Sequence, residues 1–208
     1  MNYILKIFQH HILLISILLL PSLAFASDNI SIESTVIFNT TCARCHEGEC
    51  SGRMSFHLPE DAANQHIRRH GGELSEQRIR QLFKLLRYMK EECSFYPIPL
   101  ALIKFQIWER KMLNKFQSPS GQAYFMPIGQ LEPGIYELLF EKLKNTKFCV
   151  EVINEEFDFV ERDSLYGEYG KKTLKFQAEE RSEYFLRLTA QDRINLNRLE
   201  LVFLETPE

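Results

Sequence analysis

The sequence predicts an α+β chain in two parts, a small all-α domain followed by an antiparallel β-sandwich or jelly roll. Between residues 31 and 93 apolar residues recur at the three-to-four spacing of amphipathic helices. Beyond residue 120 they fall instead in short runs separated by turn residues, as in an all-β sandwich. Tyr96-Pro97-Ile98-Pro99 divides the two patterns, because proline lacks the amide hydrogen and restricts the residue before it.

The first segment reads as a signal peptide over residues 1–26. Lys6 precedes an apolar run at 12–20, Pro21 breaks the run, and Ala24-Phe25-Ala26 offers small residues where a signal peptidase cuts. The run is about half of the roughly 20 apolar residues that span a bilayer, so no permanent membrane anchor is expected after cleavage before Ser27. The expected location is periplasmic. Cleavage removes His10 and His11 and leaves His46, His57, His66 and His70 as histidine ligands. The 208-residue chain has a formal charge of -3, which gives no basic excess for a phosphate backbone and sets nucleic acid aside as a partner.

A first helix is expected at 31–41, with Ile32, Val36, Ile37 and Phe38 as its apolar residues and Ser31 or Asp28 as its cap. A second runs from 60 to 70 and ends at Gly71-Gly72, where the missing β-carbon suits a left-handed cap. Ser75 caps the third, in which Ile79, Leu82, Phe83, Leu86, Tyr88 and Met89 form one broad apolar face. Residues 27–96 thus form the helical domain, 97–119 a linker and 120–208 the β-sandwich. Within the linker, 100–116 mixes strand and helix spacing and receives no assignment. Strands are expected at 123–128, 135–140, 148–153, 173–176, 184–188 and 199–203.

Cys42-Ala43-Arg44-Cys45-His46 is the haem-attachment pentapeptide. Two thiols separated by two residues add to the two vinyl groups of one haem, and His46 then ligates the iron. One covalent haem c is therefore the expected cofactor, held by Cys42, Cys45 and His46, with His46 as the iron ligand. A redox or zinc CxxC is the competing reading. Export and the lack of a second CxxC oppose it.

Residues 36–46, with the aromatic Phe38 four positions before Cys42, resemble the entry to a class I cytochrome c domain. Leu74-Ser75 opens a helix carrying Leu85-Leu86-Arg87-Tyr88-Met89 that is similar to the family's last helix, whose aromatic packs against the first. The resemblance covers about residues 30–93 and implies a monohaem cytochrome c domain at 27–96. It also implies single-electron transfer between redox protein partners, by a carrier rather than a catalyst. The chain departs from the family where a Met usually supplies the second axial ligand. His66 and His70 stand there instead, i and i+4 on one helix. His66 is the expected sixth ligand and His70 the alternative, with Met54, His57 or an open site also left open. A bis-His haem has a lowered potential. Arg53, Arg68 and Arg69 are candidate partners for the haem propionates. Cys50 and Cys93 are a candidate disulfide, which leaves Cys149 unpaired, and Cys93 with Cys149 is the alternative pairing.

Residues 118–205 resemble carbohydrate-binding jelly rolls through Pro133-Gly134-Ile135-Tyr136-Glu137-Leu138 and the closing Ile194-Asn195-Leu196-Asn197-Arg198-Leu199-Glu200-Leu201. The resemblance implies a carbohydrate ligand. Trp108, the only Trp, precedes the domain, and the Phe and Tyr residues suit a core equally. A sandwich that docks the haem onto a protein partner explains the same residues. Two further functions remain beside the electron carrier. One is a haem enzyme or sensor with an open distal site beside His57. The other is a carbohydrate-binding or partner-binding protein carrying a haem for an associated oxidoreductase.

Overall fold

Short apolar runs that bury alternate side chains need a second layer to cover them, and here two four-stranded sheets cover each other. The computed structural model describes residues 30–46, 59–92, 106–142, 147–156, 158–165 and 170–206. The signal segment, Cys50, Arg53, Met54, His57, Cys93, Pro97 and Pro99 lie outside the described residues. The strands are β1 (Ile107–Glu109), β2 (Ala123–Leu131), β3 (Gly134–Lys142), β4 (Phe148–Asn154), β5 (Phe159–Leu165), β6 (Gly170–Ala178), β7 (Ser182–Ala190) and β8 (Leu196–Glu205). One sheet has the order β1-β8-β3-β6 and the other β2-β7-β4-β5. Every pairing is antiparallel. Eight strands shared between two sheets in this order make a jelly roll.

Two of these strands are absent from the sequence pattern. β1 is only three residues long and lies inside the expected linker, yet it pairs with β8 and buries Trp108 to 3% exposure. β5 lies at a sheet edge and leaves most of its side chains exposed, so it lacks the alternation that marks a half-buried strand. In β2 the register shifts between Pro127 and Gly129, and Gly129 takes φ 117, the left-handed backbone that suits glycine at a bulge.

Rings from the two sheets meet across the interior. Phe176 of β6 lies 6.3 Å from Tyr184 of β7, and Phe140 of β3 lies 5.8 Å from Phe148 of β4. These contacts identify the inner face, and the period of two then places Val150, Val152, Leu186 and Leu188 inward, all fully buried. The same period turns Cys149, Glu151, Phe185 and Arg187 to the outer face of the second sheet.

The helices are α1 (Ile32–Ile37), a π turn (Phe38–Cys42), α2 (Ala43–His46), α3 (Glu60–His70), α4 (Glu76–Glu92) and α5 (Arg110–Leu113) with a 3-10 turn (Asn114–Phe116). Ser31 caps α1 by accepting from the Ser34 amide at 3.1 Å, and Ser75 Oγ accepts from the Arg78 amide at 3.3 Å. Gly71 donates its amide to Ile67 O at 2.7 Å, and Gly72 takes φ 78 to end α3. Ile37, Phe38, Ala63, Ile67, Ile79, Leu82, Phe83, Leu85, Leu86 and Met89 form a small helical core. Tyr88, expected on the buried face of α4, is 37% exposed, and Phe83 occupies the interior.

Among the described residues the helices do not close off as a separate all-α domain. Val36, one residue before Ile37, belongs to the sandwich core, and Ile32 packs against that same core. The chain is a mixed helical and antiparallel β-sandwich fold.

Leu186 is fully buried at the centre of β7, so Leu186→Ala removes apolar contact and leaves a cavity. The expected loss is about 2–5 kcal/mol of unfolding free energy, read as a lower urea midpoint with unchanged slope.

Candidate functional site

The pentapeptide begins at the last residue of the π turn and continues through α2, in a helical segment unbroken over the described residues 32–46. There the Ala43 amide reaches back five residues to Phe38 O, so the segment is wider than an α-helix just before the first cysteine. Side chains bond the carbonyls along it. Asn39 Nδ2 donates to Thr35 O at 2.9 Å and Thr40 Oγ1 to Val36 O at 2.7 Å. Arg187, from β7 of the sandwich, donates through Nη1 to Asn39 O at 3.3 Å.

Cys42 and Cys45 stand i and i+3, one helical turn apart and on one side of the segment. The Cys42 side chain is half-buried against the helical core, and Cys45 is exposed. No disulfide joins them. Burial, with a smaller contribution from Cys45, pushes the Cys42 thiol up to about 11, so it is protonated at neutral pH. His46 ends α2, and its imidazole lies outside the described atoms.

Two cysteines one helical turn apart, one against an apolar core and one open to solvent, followed directly by a histidine, are the residues that would hold a haem. The buried carbonyl oxygens of Asn39 and Asn64, Oδ1 in each, have no hydrogen-bond partner among the described residues. Asn64 shares α3 with Ala63 and Ile67 of the helical core. Such acceptors mark an environment that an added group or water completes.

His66 and His70 lie on the exposed side of α3, with ring centroids 4.6 Å apart and planes tilted by 39°. Arg68 makes a forked ion pair with Glu76, its Nε to Oε1 at 3.1 Å and its Nη2 to Oε2 at 2.7 Å, which ties α3 to α4. Among the described residues no group of three or more His, Cys, Asp or Glu side chains is placed to hold a metal ion.

The residues that seat this segment escape the sequence reading. Across the outer face of the second sheet, Arg162, Glu151, Arg187 and Phe125 stand directly opposite one another on β5, β4, β7 and β2. Arg187 Nε donates to Glu151 Oε2 at 2.6 Å, and both side chains are 9% exposed. Arg162 adds a second ion pair to Glu151 at 3.3 Å. Phe125 and Phe185 stack beside them with centroids 5.7 Å apart. One charge inside each of two otherwise apolar runs, Glu151 in 148–153 and Arg187 in 184–188, is the signal that could have found the pair.

The jelly-roll aromatics serve mostly as core. Trp108, Tyr124, Tyr136 and Tyr184 are each at most 5% exposed. The hydroxyls of Tyr136 and Tyr184 donate to the carbonyls of Glu132 and Glu180, four residues earlier. Phe159 and Phe203 are the exposed aromatic residues among the described part of the sandwich, on different sheets.

No protein-family model matches the chain, and no curated protein sequence does. Among solved structures it is similar to the family 35 carbohydrate-binding module of Cellvibrio japonicus Abf62, with 12% identity and a TM-score of 0.32 over 44% of this chain and 75% of that one. A family 35 module from Clostridium thermocellum gives 13% identity and a TM-score of 0.30, over 38% of this chain and 68% of the module. Isomalto-dextranase of Arthrobacter globiformis T6, solved with panose, gives 14% identity and a TM-score of 0.32, over 38% of this chain and 16% of the enzyme. The jelly-roll assignment rests on the strand order and register of the chain itself.

Proposed function

We propose that the chain is an exported electron-transfer protein, a c-type cytochrome with one haem attached through Cys42 and Cys45 and ligated by His46. The observation that carries this reading is the pentapeptide in its setting, two thiols one helical turn apart with a histidine next in line. The haem supplies a one-electron iron couple. The chain's residues would attach it through Cys42 and Cys45 and ligate it through His46, beside the small helical core against which Cys42 packs. His66, with His70 as the alternative, is the proposed sixth ligand, and one turn at the end of α3 presents both.

A reactive dithiol is the competitor for the same cysteines. Such a pair needs a thiol lowered by a helix N-terminus or a cation. At Cys42, by contrast, burial and the neighbouring Cys45 raise the thiol.

A second reading makes the jelly roll a saccharide binder, an analogy at the level of fold, since lectin domains are among those built as jelly rolls. Burial of Trp108, Tyr124, Tyr136 and Tyr184 leaves Phe159 and Phe203 as the described aromatic surfaces for stacking a sugar.

Expression with haem-maturation machinery tests the first reading. The wild-type chain is expected to keep haem stain on a denaturing gel, and Cys42→Ala with Cys45→Ala to lose it. An unstained wild type that is retarded in a polysaccharide gel would move the function to the second reading. In the loaded protein, His66→Ala or His70→Ala, but not both singly, is expected to give a high-spin haem that binds carbon monoxide.

The unloaded chain has its own signature. The folded state holds the Cys42 proton more tightly than the unfolded chain, so this contribution to stability is fully present below pH 9. It is lost as pH rises from 9 to about 11. The melting temperature of the wild type is expected to fall more steeply across that window than that of Cys42→Ala.

A further inference from the structure

Arg187 lies in the middle of β7 with its side chain on the outer face of the sheet, yet it is buried. Its guanidinium bonds Glu151 within the sandwich through Nε and the Asn39 carbonyl in the π turn through Nη1, and it lies 5.6 Å from the centroid of the Phe159 ring. Glu151 is itself buried and fixed by its cross-strand position, so the guanidinium is held in one orientation. The carbonyl it reaches lies three residues before Cys42, inside the widened turn.

We infer that Arg187 is the positioning residue of the attachment segment. By bonding Asn39 O it holds the π turn against β7 and keeps Cys42 packed, so Cys42 is withheld from solvent once the jelly roll has folded while Cys45 stays open. The thiol proposed to take up the haem is thereby closed off by folding of a domain that supplies none of the haem's ligands. The link to loading rests on the proposed function above, whereas the hold on Cys42 does not.

The full-length unloaded chain tests the hold. Cys42 and Cys45 are alkylated with iodoacetamide under native conditions and quantified separately by peptide mass spectrometry. Arg187→Lys keeps a positive charge beside Glu151 but lacks the fork that spans both partners. Cys42 alkylation is expected to rise about tenfold in this variant, the change that loss of one charge-assisted hydrogen bond makes in a local opening equilibrium. Cys45, already exposed, is expected to keep its wild-type reactivity.

Should Arg187→Lys fail to fold, Arg187→Met with Glu151→Met replaces the buried pair by apolar side chains of similar length, an exchange that sheets tolerate. It is expected to free Cys42 in the same way. Unchanged Cys42 reactivity in a folded variant would overturn the inference. A wild type that takes up no haem while Arg187→Lys still frees Cys42 would defeat the haem reading and leave the hold standing. A loaded wild type with unmoved Cys42 reactivity would defeat the hold alone.

Discussion

The seating of the α1 and π-turn segment on the outer face of the second sheet is the contact on which the rest of the structure depends. A jelly roll needs its inner faces dry, but β2, β7 and β4 are buried on both faces here. Val36 joins the sandwich core from outside while Ile37 and Phe38 start the helical core. The helical part inherits its position from the sandwich through consecutive residues of one short helix. Arg187 and Glu151 add direction to that apolar contact. Removing one member of such a buried pair costs about 3–5 kcal/mol, because it strands the other charge. The pair therefore penalises any arrangement that separates the segment from the sheet.

The second consequence is chemical. A π turn leaves carbonyls for side chains to bond, and at this site Asn39, Thr40 and Arg187 do so within a few residues of Cys42. Cys42 then sits against an apolar core and Cys45 faces solvent. That asymmetry opposes a dithiol switch, which needs a stabilised thiolate. The proposed haem protein and the jelly roll are thus one arrangement, in which the sandwich fixes the segment that would carry the haem.

Much of the fold was legible because the two periods differ. The end of α3 at Gly71-Gly72 and the caps Ser31 and Ser75 follow from residue type alone. Strands β2, β3, β4, β6, β7 and β8 follow from apolar runs between turns. β1 was illegible because three residues cannot show a period, which also left Trp108 outside the sandwich. β5 was hidden because an edge strand with exposed side chains resembles a loop. Arg187 and Glu151 were passed over because a charge in a strand is ordinarily on a wet face. Only the covered outer face makes them central, and coverage comes from residues nearly 150 positions away in sequence.

Amide hydrogen exchange over residues 36–43 of the full-length chain tests most directly whether the attachment segment and the sandwich are one packed unit. The account predicts that these amides exchange as slowly as those of β4 and β7, because opening the segment requires breaking the Arg187 contact and exposing Val36. Exchange over 36–43 as fast as at the exposed end of a helix, while β4 and β7 stay protected, would contradict it.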